Sequence, residues 1–156
     1  MVELWMEVLT GVVGLRLSII DLAEHRLPNR LTLPLFVSLV GLSSVGGNSA
    51  SLQGALVGSV VSGVVFLGIA VMPGKPLGMG DVKFQFGLGW MLGYLDPALA
   101  VMVAAGSFMV VGLSVIPQLI WSGGKASDPI PLGPWMMVAT CCVVVGAESL
   151  KIIDRG

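Results

Sequence analysis

Asp21 and Asp81 are the residues in this chain best placed to do chemistry. Each stands where a long apolar run meets a short charged segment: Asp21 directly follows "LSII", and Asp81 precedes the run that begins at Phe84. Most of the other acidic residues, Glu3, Glu7, Asp96, Asp128, Glu148 and Asp154, fall at chain ends or in loops, where water solvates them. Two carboxylates held close in a dry site cannot both ionise cheaply, so one keeps its proton while the other is charged. The charged member can take a proton from a water attacking a carbonyl. The protonated member can donate to the carbonyl oxygen and then to the leaving amine. This is peptide-bond hydrolysis by an aspartate pair, with no metal and no cofactor. Residue type alone also allows an interfacial anchor or a proton relay at either position.

The elements that must position these carboxyls follow from composition. Of 156 residues, 55% are apolar and only 11% charged, and the mean hydropathy is +0.96, far from the balance of a water-soluble globule. Cutting the chain at its charged and Gly/Pro-rich breaks leaves about six apolar spans: 3–20, 31–47, 51–73, 82–95, 97–121 and 132–150. The expected fold is therefore all-α, a polytopic membrane protein with about six transmembrane helices forming one membrane-embedded domain over residues 1–156. Membrane lipid is its surrounding partner. The first span lacks a basic n-region and a small-residue cleavage site, so it reads as a retained helix.

The charged loops "DLAEHRLPNR", "PGKPLGMGDVK" and "SGGKASDPIP" fall on one face, where Arg16, Arg26, Arg30, Lys75, Lys83 and Lys125 gather, against Lys151 and Arg155 on the other. That excess makes the first face cytoplasmic. Two crossings separate Asp21 from Asp81, which returns them to the same side at one depth. A net charge of −1 with no basic stripe excludes a nucleic-acid partner. Cys141 and Cys142 are adjacent in an apolar run, without metal-site or redox spacing, and read as small buried thiols.

Around the aspartates the sequence suggests site-shaping residues. Gly78 and Gly80 in "GMGD" read as a backbone break that opens a wet pocket beside Asp81, since glycine adopts angles other residues avoid. A helix starting there would favour negative charge, making Asp81 the more readily ionised of the two. Pro28 and Asn29 suit a tight turn, with Asn29 or Thr32 capping the second helix and Pro34 in its first turn. Lys83 reads as an anchor to lipid phosphate. His25, the only histidine, has no metal-ligand partners in view. Gly54 with Gly58, and Gly89 with Gly93, are i, i+4 pairs suited to close helix packing.

Three segments together resemble the type IV prepilin peptidases, membrane aspartyl proteases with a G-x-G-D motif. "GMGDVK" (78–83) carries that motif, "DLAEHRLPNRLTLP" (21–34) looks like the family's other aspartate segment, and "PIPLGP" (129–134) is similar to the lead-in of its final helix. The resemblance implies catalytic roles for Asp21 and Asp81 and a prepilin or pseudopilin substrate cut at the cytoplasmic face of the inner membrane. The substrate would reach them through a lateral opening near spans one and four. Larger members carry a region with paired C-x-x-C motifs that methylates the product. This sequence has no such motif, which implies a peptidase without the methyltransferase region. A small transporter using the aspartates as a relay, and a scaffold subunit with glycine-lined faces, are the rival readings.

Overall fold

The computed structural model describes residues 1–46, 48–71, 77–106, 109 and 132–153. Among them are six helices and no strand: α1 (Val2–Glu24), α2 (Asn29–Gly46), α3 (Ser49–Ala70), α4 (Met79–Leu95), α5 (Pro97–Gly106) and α6 (Gly133–Ile153). The all-α expectation holds, and each expected span falls on one helix. The part of the fifth span beyond residue 106, apart from Met109, lies outside the described residues. So do Lys75, Lys125, Asp128, Asp154 and Arg155 of the expected charge pattern.

Short polar signals set the helix ends. Asn48 caps α3 by accepting a hydrogen bond from Ser51 N–H at 2.8 Å. Asp96 closes α4 and opens α5, its backbone N–H donating to Leu92 and its carboxylate accepting from Ala98 N–H at 2.8 Å. At the end of α1 the chain reverses through His25 at φ 49°, ψ 40°, with its N–H returned to the Asp21 carbonyl. Left-handed backbone usually falls to glycine there, so His25 holds a strained corner.

The helices pack with their small residues inward. On α1, Thr10, Gly14, Ser18 and Asp21 are buried, while Leu4, Val8, Val12, Leu15, Ile19 and Leu22 form an exposed stripe at helical spacing. On α3, Gly54, Gly58, Ser59, Ser62 and Gly63 face in, and Leu56, Val57, Val60, Val61, Val64 and Val65 face out. So much exposed aliphatic surface suits lipid and would not persist in water. By length and composition α3 is the one described helix able to cross a bilayer.

The closest pairing is α3 against α4. The two glycine pairs expected to promote packing meet each other across this seam. A Cβ on Gly58 would fall 2.7 Å from the Gly89 carbonyl oxygen, and one on Gly54 2.5 Å from that of Gly93. Ser59 Oγ donates to the Phe86 carbonyl at 2.9 Å, which ties the backbones together. On the other side of α4, Trp90 packs edge-on against Phe36 and donates Nε1–H to Ser43 Oγ at 3.1 Å, which fixes α2. Cys141 and Cys142 are free but exposed on α6, so the expectation of buried thiols fails. Their neighbours Ala139, Val143 and Val144 pack on the core, and a run without periodicity does not mark which of its positions face outward.

Candidate active site

Three helix ends meet at one end of the bundle: the last turn of α1, the first turn of α4 and the first turn of α6. α1 runs past Asp21 to Glu24, and α4 begins at Met79, so both aspartates sit inside helix termini, where the sequence placed them just beyond. Both also lie outside the apolar stretches 3–20 and 82–95.

Asp21 is 3% exposed. Its Oδ2 accepts the Gly133 N–H at 2.8 Å, across the bundle at the N-terminus of α6. A carboxylate at the C-terminus of its own helix is unfavourable, and the positive end of α6 offsets this. Gly133 is required by contact, since a Cβ there would sit 3.0 Å from Asp21 Oδ2 and 3.3 Å from Asp21 Cβ. Pro134, which has no N–H to leave unpaired, follows at a position where proline is tolerated.

Asp81 occupies the third position of α4, and its Oδ2 accepts the Gly78 N–H at 3.2 Å, the carboxylate half of a capping box. Its Oδ1 is buried without a hydrogen-bond partner among the described residues. Leu27 links the two sites: a Cβ on Gly80 would lie 2.8 Å from both the Leu27 Cβ and its carbonyl oxygen, and one on Gly133 3.4 Å from Leu27 Cδ2. The loop after Asp21 therefore rests directly on the first turn of α4.

Gly78 and Gly80 thus serve close approach. Gly78 has an ordinary φ of −75° as the N-cap, and Gly80 lies within the helix, so the expected backbone break at "GMGD" is replaced by a regular helix start. Gly80 leaves room for Leu27, and Gly78 for the Asp81 carboxyl, whose Oδ2 would lie 2.9 Å from a Cβ there.

Asn29 and Lys83 come together, Lys83 Nζ donating to Asn29 Oδ1 at 2.8 Å. This replaces the lipid anchor expected of Lys83, and it occupies the side chain expected to cap α2. The Pro28 carbonyl instead accepts the N–H groups of Leu31 and Thr32 and the Thr32 hydroxyl. Pro34 falls past the first turn of α2. The tight turn expected at Pro28 and Asn29 is instead the start of α2, and the chain bends at His25 and Arg26 just before Leu27.

Burial pushes the Asp81 carboxyl up to about 7, and the charge of Asp21 adds to the shift, against the Gly78 N–H and its own backbone. Asp21 is also raised by burial, opposed by the Gly133 N–H and then by His25. Both carboxyls are thus raised, and the charge of Asp21 weighs against the expectation that Asp81 ionises more readily. A helix N-terminus favours charge at both carboxyls, but Asp21 has the shorter, buried hydrogen bond, and Asp81 has one oxygen unpartnered. Among the described residues no three His, Cys, Asp or Glu side chains gather as a metal site requires.

Sequence reasoning missed Leu27, the Gly133 N–H and Gln85. Gln85 is fully buried one turn beyond Asp81, and its signal was a lone amide inside the apolar run "FQFGLGW".

Fold and site together define a lipid-suited helical bundle with two charge-coupled carboxyls buried where its helix ends converge. The type IV leader peptidase family matches over residues 8–116, and the chain belongs to that family. The Prepilin leader peptidase/N-methyltransferase of Aeromonas hydrophila is 30% identical, over 86% of this chain and 47% of that protein. Its namesake in Burkholderia pseudomallei (strain 1026b) is 34% identical over 78% and 40%, and that of Escherichia coli (strain K12) 29% over 81% and 56%. The chain spans about half the length of the curated relatives it matches. No solved structure matches it.

Proposed function

We propose that this chain is an aspartyl endopeptidase of the cytoplasmic (inner) membrane that removes the basic leader of prepilin or pseudopilin precursors. The observation that carries this reading is the pairing of Asp21 and Asp81 through Leu27 at one end of the bundle, in a member of the leader peptidase family. Family membership supports the substrate class, and the matched relatives are named for prepilin leaders. The lysine and arginine excess in the loops at that end supports a cytoplasmic active site in a multi-pass protein.

In this mechanism Asp21 is the ionised base, held by Gly133 N–H, and Asp81 carries the proton. Asp21 removes a proton from water as its oxygen bonds to the scissile carbonyl carbon, and Asp81 protonates the developing oxyanion. Collapse of the tetrahedral intermediate breaks the C–N bond. The proton held by Asp21 passes to the leaving amine, and Asp81 regains its own from the hydroxyl. Leader carboxylate and mature amine are the products. Gly78, Gly80, Pro28, Asn29 and Lys83 shape the site by holding its two halves together.

An apolar cavity of about 150 Å³ separates α1, α4 and α6, lined by Thr10, Gly11, Met91, Met137 and Thr140. It lies away from the aspartates, about three helical turns along α1 from Asp21.

The test is cleavage of a membrane-embedded prepilin-type substrate by purified protein in liposomes. Wild type should release the leader, and neither Asp21→Asn nor Asp81→Asn should. Normal cleavage by either variant would sink the aspartate mechanism. Proton flux without cleavage would establish the relay reading instead.

A further inference from the structure

Gln85 is 0% exposed, and among the described residues neither its amide nitrogen nor its amide oxygen has a hydrogen-bond partner. A buried amide is stabilised only when donor and acceptor are both satisfied. Thr10 Oγ1 shares this condition, but it sits on α1 far from the aspartates. Gln85 does not. It follows Asp81 by one helical turn on the same face of α4, about 6 Å along the axis. Asp81 Oδ1 is itself buried and unpartnered. One face of α4 therefore presents an unmatched carboxyl oxygen and an unmatched amide in succession, where the described residues supply no partner.

The chemistry of those atoms selects the ligand. An anion would ask for donors alone and a cation for acceptors alone, and an apolar helix would leave the amide as it is. A primary amide presents one N–H and one C=O side by side. A peptide group in an extended chain presents the complementary pair. We infer that the Gln85 amide pairs with a backbone peptide group of the substrate's extended segment, one or two residues from the scissile bond, and so holds the carbonyl against Asp81. This deepens the peptidase reading and rests on it. Recognition by Gln85 would be of the backbone, tolerant of which side chains flank the cut.

The test uses the full-length protein in liposomes with substrates in which backbone N–H groups near the cleavage site are replaced, one at a time, by ester oxygen. Gln85→Leu and Gln85→Met keep the side-chain volume and remove the hydrogen bonds. Both should fold with a melting temperature no lower than wild type. Each should lose about tenfold or more in kcat/KM with an unchanged pH profile, as expected for losing hydrogen bonds in a buried site. At one position the ester should slow wild type by a similar factor and leave both variants almost unaffected. That non-additivity is what a merely structural glutamine would not produce. Cleavage by both variants within twofold of wild type, or additive losses at every position, would overturn the assignment. No cleavage by wild type in the same assay would overturn the peptidase reading itself, so the two failures are told apart.

Discussion

Asp81 carries a stability penalty that its chemistry explains. Its carboxyl is raised from the model-compound value of 3.8 to about 7, so the folded protein binds that proton more tightly than the unfolded chain does. Stability contributed through Asp81 is therefore greatest below about 4 and is lost as pH rises to about 7, beyond which the loss is constant. Asp81→Asn removes the titrating group and keeps an oxygen for Gly78 N–H. Its melting temperature in detergent should exceed wild type by a margin that grows between pH 4 and pH 8, and a constant margin would refute the assignment. Activity should fall on the alkaline side as pH passes about 7 and the acid is lost, with apparent values belonging to the pair. Both aspartates were legible in the sequence because charge beside an apolar run is costly and easily noticed. The burial that raises both carboxyls was not legible, and neither was the Gly133 N–H that opposes it at Asp21, since that group comes from 112 residues further along.

The α3–α4 seam and the His25 corner set how the helices present the site. Gly89→Val would drive side-chain atoms into the Gly58 carbonyl and the Ser59 backbone, which cannot yield as a flexible side chain would. Overpacking of this kind costs about 1–3 kcal/mol. The variant should melt lower and lose cleavage, whereas Gly68→Ala, with open space at its Cβ, should do neither. His25→Gly should have the opposite sign, stabilising by about 0.5–1 kcal/mol through relief of its left-handed backbone. Helix positions and the glycine pairing could be read from hydropathy and i, i+4 spacing. The helix starts could not be fixed to the residue. Hydropathy breaks mark where side chains become polar, whereas backbone hydrogen bonding carries α1 through Asp21 and starts α4 before Asp81. The roles of Gly78 and Gly80 were misread for a related reason. Sequence shows that a glycine is present, but whether it serves an unusual angle or a close neighbour depends on what packs against it.

Among the described residues a core of Leu, Met and Phe side chains is joined by small and polar ones such as Gly58, Ser59, Ser62 and Thr10, while long aliphatic stripes of α1 and α3 face outward. The orientation of that bundle is testable with single cysteines after Cys141 and Cys142 are changed to serine. In intact cells a membrane-impermeant maleimide should miss Arg26→Cys and label Ser49→Cys at the opposite end, and inverted vesicles should reverse the pattern. Labelling of Arg26→Cys in intact cells would contradict a cytoplasmic site. The hydrogen bond from Gly133 to Asp21 has a consequence for biosynthesis as well. It joins the end of the first helix to the start of α6, a contact of very high sequence separation and hence slow to close. A nascent chain emerging from the ribosome has both aspartates long before α6 is made. On the mechanism proposed above, the aspartate pair would stay incomplete until that helix docks, and other membrane proteins being inserted nearby would be spared a half-built protease.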